Sequence, residues 1–222
     1  MNIDTIVRQD TYDAFKEHNT GRVRLNRRGE PVLFDPFQQL VADGRVFIAS
    51  NTAMETADVL GDASYANTVA ALAIDVPAGV TIKPLEIVLI QGGTVAGGDI
   101  TVLMTLDDKV RITSGVKCAV SNYQISASEV NASLCDVYQH KEGTTNLVVA
   151  ANAEDNTFFA KMCAEDIVGG DEHQVIWTAR KYPAPTLKGP AALVVHAYPA
   201  AGAGPSFFWH MLWAEYRTGE VV

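Results

Sequence analysis

Cysteine, charge and regular helical repeats are all scarce in this chain of 222 residues. Its three Cys residues, Cys118, Cys135 and Cys163, are too few and too widely spaced for a disulfide framework or a zinc ribbon, and they read as reduced core thiols. Charged residues make up only 19% of the chain and apolar ones 48%, the reverse of a disordered segment. Its 17 Gly and 9 Pro are far below what collagen requires. Lys and Glu are too rare, and Gly, Pro, Thr and Val too frequent, for a coiled coil. No run approaches the roughly 18 apolar residues of a membrane-spanning helix. The start, Met1-Asn2-Ile3-Asp4, lacks the basic region and apolar run of a signal peptide, so secretion by that route is not expected. One large β domain of roughly 200 residues fits the length, and at that size no staple is needed.

The charge that is present is uneven. The chain carries 26 acidic and 17 basic side chains, a net charge of -9. Residues 1–31 hold six of the basic groups (Arg8, Lys16, Arg22, Arg24, Arg27 and Arg28) against five acidic ones, so the acidity belongs to the rest. Within that first segment Asp4 to His18 is expected to form a short helix. Asp4 or Thr5 would cap it, Ile3, Val7 and Phe15 share a stripe, and Asn19-Thr20-Gly21 would stop it. The stretch from Gly21 to Asp35 has no period long enough for an element of its own. Residues 1–44 are therefore expected to be an extended arm and residues 45–222 a β domain.

From Arg45 onward the apolar residues alternate. Leu72, Ile74 and Val76 fall on one face, as do Ile100, Val102, Met104 and Leu106. Further strands are expected at 46–50, 85–91, 110–113, 117–126, 134–140, 147–151, 157–162, 174–181, 191–198 and 207–216. Between them lie turn-forming stretches such as Pro77-Ala78-Gly79, Asp107-Asp108, Gly169-Gly170 and Gly202 to Pro205. About a dozen strands without alternating helices predict an all-β fold, an antiparallel β-sandwich or barrel. The last strand, Phe207 to Tyr216, has large apolar groups on both faces, which a strand with one wet face should not have. Either it is covered on both sides within the domain, or Phe207, Trp209, Met211 and Trp213 meet another subunit.

Catalytic patterns are missing from the sequence. Gly202-Ala203-Gly204-Pro205-Ser206-Phe207 lacks the third Gly of a dinucleotide loop and precedes a strand instead of following one. The five His residues form no His-x-His or His-x-x-x-His pair, so the ligand spacing of a cupin metal site is absent. Asp171-Glu172-His173, after Glu165-Asp166, could offer oxygen ligands to Ca²⁺, but solvated turn residues explain it better, as they do Asp107-Asp108 and Glu154-Asp155. His196 and His210 lie mid-strand, where a hydrogen-bonded core or interface role outweighs a catalytic base. A nucleophilic Cys would need a partner His and a depressed pKa, and only Cys135 has a His nearby, His140. The expectation is a protein without catalytic residues, metal or cofactor. Arg22, Arg24, Arg27 and Arg28 could contact nucleic acid or an anionic membrane, or pair with the acidic body of a neighbouring subunit.

The order of an arm, then Gly44-Arg45-Val46-Phe47-Ile48-Ala49-Ser50, then Ala73-Ile74-Asp75-Val76-Pro77-Ala78-Gly79-Val80-Thr81-Ile82-Lys83-Pro84-Leu85-Glu86-Ile87, resembles single jelly-roll structural proteins of small icosahedral viruses and phages. The closing stretch from Gly204 to Tyr216 is similar to the last strand of such proteins. What the resemblance implies is a capsid shell subunit of jelly-roll type with an N-terminal arm containing a short helix. It would be made in the host cytoplasm and reside in the virion. It would self-assemble, with copies of itself as partners and a second virion protein as a further one. A strongly basic arm is missing, which counts against direct genome packaging. Two other classes fit the same scaffold: an oligomeric receptor- or glycan-binding module of tail, spike or tumour-necrosis-factor-like type, and a cupin-like enzyme. In the first of these, Trp177, Trp209 and Trp213 would be the sugar platform.

Overall fold

The computed structural model describes residues 36–51, 55–92, 99–109, 112–124, 131–140, 147–149, 156–164, 174–200 and 204–217. The helix expected over residues 4–18 and the four Arg residues from Arg22 to Arg28 lie outside them. The described chain opens with a helix, α1 (Pro36–Ala42), that the sequence reading assigned to an irregular arm. Proline suits a first helical turn because its φ is already set and its missing N–H would have no partner there. Gly44, at φ 65°, ends the helix: its N–H bonds to Val41 O and that of Arg45 to Leu40 O, the paired closure of a Schellman turn.

The remainder is an antiparallel β-sandwich. The first sheet has the order β8 (Val120–Asn122), β1 (Val46–Ser50), β15 (Ser206–Arg217), β4 (Val80–Gln91), β12 (Gln174–Thr178). Two short strands, β2 (Asp58–Val59) and β13 (Leu187–Lys188), pair with β15 and β4. The second sheet runs β7 (Val116–Lys117), β9 (Asp136–Gln139), β3 (Leu72–Val76), β14 (Ala191–Pro199), β5 (Ile100–Asp107), β11 (Asn156–Ala164). Each of these pairings is antiparallel.

Alternation along each strand sends one face inward. Phe47 and Ala49 of β1, Ile82, Ile87 and Leu89 of β4, Val175 and Trp177 of β12, and Phe207, Trp209, Met211 and Trp213 of β15 meet Leu72, Ile74, Val102, Met104, Leu193 and Val195 of the second sheet in one core. Its apolar burial is the main force holding the layers together, at about 25 cal/mol per Å².

Pro84 sits inside β4, which the sequence reading began only at Leu85. The strand tolerates it because the β4–β15 register shifts there, with Leu212 opposite Glu86 and Trp213 opposite Pro84, so the missing N–H falls at an irregularity in the ladder. At Pro77-Ala78-Gly79 the chain turns between sheets, with Val80 N bonded to Pro77 O and Gly79 at φ 85°.

Between β5 and its partner β11 in the chain, strand β8 extends the first sheet beyond β1, and β9 and β7 extend the second beyond β3. The expected strand 117–126 is therefore split at Cys118-Ala119, where the chain leaves one sheet for the other. Strands β6 (Ile112–Ser114) and β10 (Val148–Val149) pair, and Leu147 and Val149 pack with Ala70, Ala73, Ala192 and Val194 in a second cluster. That cluster occupies the outer side of the second sheet, which explains why Ala191 to Ala197 of β14 are buried on both faces.

Candidate interaction face

The outer side of the first sheet differs from that of the second. Alternation places Ile48 of β1, Phe208, His210 and Leu212 of β15, Glu86, Val88 and Ile90 of β4, and Ile176 of β12 on it. Register aligns them in rows: Ser50, His210, Val88 and Ile176 form one, and Ile48, Leu212, Glu86 and Thr178 the next. Ile176 is 40% exposed, while Val88 and Leu212 are nearly covered by their neighbours.

Near the middle, His210 Nε2 and Glu86 Oε1 lie 3.0 Å apart, with both side chains about a third open to solvent. At one end the Tyr216 ring has the Arg45 guanidinium 5.6 Å and the Lys83 ammonium 5.7 Å from its centre. Beyond β12, Arg180 lies over the Phe37 ring at 5.6 Å, so residues 37–45 pass from the β12 side of the sheet to β1.

Ser50 stands opposite His210 in register, which puts Ser, His and Glu in sequence across three strands. Ser50 and His210 make no hydrogen bond, however, and both sit on a sheet face, so the serine lacks the activation a nucleophile needs.

Phe207, Trp209, Met211 and Trp213, expected at an interface, are instead 0–2% exposed and point at the second sheet. The physical reason is the strand's phase: the odd-numbered side chains face the core. The outward residues of β15 lie one residue out of step, at Phe208, His210 and Leu212. Period two announces two faces without saying which is inner, and β15, large on both, gave no contrast from which to choose. Glu86, Val88 and Ile176 were missed because their place beside His210 depends on pairing across the sheet.

The buried carboxylate of Glu215 accepts hydrogen bonds from Trp213 Nε1 at 2.8 Å, Leu134 N at 3.0 Å and Ser133 Oγ. It fastens residues 133–135 to β15 between two clefts. One, of ≈ 630 Å³, is lined by Lys117, Cys118, Asn122 and Asp136; the other, of ≈ 520 Å³, by Arg45, Leu134, Glu215 and Tyr216. Asn122 closes the junction through Nδ2, donating to Gly44 O at 2.7 Å and Asn131 O at 3.1 Å.

Burial, aided by Asp58, pushes the Cys118 thiol up to about 12, and burial with Glu215 raises that of Cys135 as well, so neither is a nucleophile at neutral pH. Burial lowers the pKa of His196, whose Nδ1 lies 2.9 Å from Val69 O beneath the Tyr65 ring. Among the described residues no three His, Cys, Asp or Glu side chains could together hold a metal ion. The sequence candidates Asp171-Glu172-His173, Glu165-Asp166 and Glu154-Asp155 lie outside those residues. Asp107 ends β5 with Oδ1 accepting from Lys109 N at 3.1 Å, the turn role expected of it.

No protein-family model matches the chain, and neither curated proteins nor solved structures provide a match.

Proposed function

We propose that this protein is a virion structural protein, a jelly-roll capsid subunit that assembles with copies of itself. The observation that carries the reading is strand order. Numbering the eight long-range strands β1, β3, β4, β5, β11, β12, β14 and β15 from first to last, the first sheet reads first, eighth, third, sixth. The second reads second, seventh, fourth, fifth. This interleaving supports a double Greek-key, jelly-roll reading, a group that includes viral capsid domains, lectins and cupins.

Fold alone does not select among those uses, so the choice rests on sites. Against a cupin-like enzyme stand the missing His spacing and the unreactive thiols of Cys118 and Cys135. Against a glycan-binding module stands the placement of Trp177, Trp209 and Trp213, all 0–2% exposed and unavailable as a sugar platform. Ile176, an isoleucine left 40% exposed on the outer side of the first sheet, supports a subunit with a surface to be covered. The arm, with Arg22, Arg24, Arg27 and Arg28, is assigned to neighbouring subunits, with nucleic acid or membrane as the competing contact.

Electron microscopy of the purified full chain tests the reading. Closed shells or ring-like capsomers are expected, and a field of single small particles at micromolar concentration would refute it.

A further inference from the structure

We propose that copies of this protein join head to tail, the basic end of the first sheet of one copy docking on the acidic end of that sheet in the next. The inference rests on the assembly reading and gives it a contact.

Strand β15 runs the length of the first sheet, and at about 3.3 Å per residue its 12 residues span roughly 40 Å. The charges at its two ends have opposite signs. Where it ends, Arg217 pairs with Val80, Ala214 with Lys83, and Tyr216 with Thr81, which has Lys188 on its other side. The Glu215 amide donates to Arg45 O, and the Arg45 and Lys83 cations lie 5.6 and 5.7 Å from the centre of the Tyr216 ring. Four cations thus gather around one tyrosine. The carboxylates nearest to them are occupied: Glu215 by its three donors, and Asp43 by Gln39 Nε2 at 2.7 Å. Asp75, Asp107 and Asp136 at this end belong to the second sheet, and Lys117 lies 2.7 Å from Asp136.

Where β15 begins, Ser206 and Phe207 pair with Val59 and Asp58, and the Leu60 amide donates to Pro205 O. Gly61 packs so closely here that a Cβ would stand 2.3 Å from Ala197 O and 2.4 Å from Pro205 Cδ. That contact brings in the end of β14, where the Ala200 amide donates to Asp99 O. Glu55, Asp58, Asp62 and Asp99 therefore share this end, with Glu55 and Asp99 exposed. Among the described residues it holds no Lys or Arg.

The occupant of the basic end follows from these charges. On a chain of net -9 two copies repel unless opposite signs meet, and only a head-to-tail contact sets the basic end on the acidic one. A two-fold contact through either end would face like with like. A phosphate polymer would be repelled by the acidic body, and it would leave Leu134 uncovered. That leucine is 57% exposed beside Arg45 and Arg217 in the cleft of ≈ 520 Å³, an apolar group that a protein partner covers. Contacts of this kind use two different surfaces of each subunit, so they close into a ring when the rotation between copies allows it.

The test reads the mass of full-length protein across concentration in two charge-reversed variants. Glu55→Lys with Asp99→Lys makes the acidic end basic, and Lys83→Glu with Lys188→Glu makes the basic end acidic. Each variant alone should lose assembled fraction by about tenfold or more, because like charges then face each other. An equal mixture of the two should recover it, since unaltered ends meet unaltered ends and reversed ends meet reversed ends. If either variant alone keeps a native circular dichroism spectrum and assembles as the wild type does, or if the mixture of folded variants stays dispersed, the contact is overturned and the assembly reading stands without it. Normal assembly of the acidic-end variant alone would give the basic end to a phosphate polymer, and normal assembly of the other would give the acidic end to the Arg-rich arm. Where a reversed variant loses its native spectrum, Asp99→Asn and Lys188→Gln take its place, and unchanged assembly in both overturns the contact equally. If the wild type itself stays monomeric, both readings fall.

Discussion

Trp213 Nε1 donates a 2.8 Å hydrogen bond to Glu215 Oε1, two residues along the same strand and on the same inward face. The pair explains how a carboxylate survives at 8% exposure without a cation: three donors, from Trp213, Ser133 and the Leu134 amide, surround it.

Glu215→Ala leaves the buried Trp213 Nε1 without an acceptor, and an orphaned buried donor costs roughly 1–3 kcal/mol. The expected result is a lower denaturant midpoint, with Glu215→Gln losing less because one amide oxygen still accepts. An unchanged midpoint in Glu215→Ala would show that Glu215 does not hold residues 133–135 to β15.

His196 predicts an acid limb in stability. Its folded pKa lies below the ordinary 6.5 because burial disfavours the charged ring. Above about pH 6.5 both folded and unfolded states hold it neutral. As the pH falls below that value the unfolded chain takes up a proton that the folded one refuses, and stability is lost down to the folded pKa. Thermal melts from pH 7 to 5 should show the decline, and His196→Gln should flatten it. An identical slope in the variant would assign the acid limb elsewhere.

Asp75 works in the opposite direction. It lies directly across from Asp136 on the neighbouring strand, and burial first, then that carboxylate, raises its pKa above 3.8. Below about pH 3.8 both states are protonated and nothing is lost. As the pH rises, the unfolded chain ionises freely while the folded one resists, so the penalty is fully present at neutral pH. Lys117, 2.7 Å from Asp136, serves that partner. Asp75→Asn should raise Tm at pH 7 and change it little near pH 3.5; a lower Tm at pH 7 would contradict this.

Cys118 and Cys135 should resist iodoacetamide at pH 8 in the folded protein and react once it is unfolded, because thiolate is the reactive form and burial withholds it. Labelling of either at the rate of a free thiol would reopen a nucleophilic role.

Much of the fold was legible because alternation survives in short windows. Leu72, Ile74 and Val76, and likewise Ile100, Val102 and Met104, face the core as their spacing predicts. What escaped depends on partners far along the chain. Pro84 reads as a strand breaker until Trp213 is set beside it at a register shift. The stretch 117–126 reads as one strand until Lys117 is found paired in one sheet and Val120 in the other. The helix Pro36–Ala42, at 7 residues, is too short for a periodic signal, though its Pro opening and Gly44 stop were both present. The surface followed the same rule: β15 reads as unusual by itself, but the neighbours of its outward residues, such as Ile48, Glu86 and Val88, come from β1 and β4, and pairing alone brings them together.

The central claim, that this chain is a self-assembling structural subunit, is tested most directly by the solution mass of the purified full-length protein, measured by light scattering from nanomolar to tens of micromolar. The account predicts a discrete mass that is a multiple of the 23.9 kDa chain and rises with concentration towards a closed assembly. A constant 23.9 kDa across that range would contradict it.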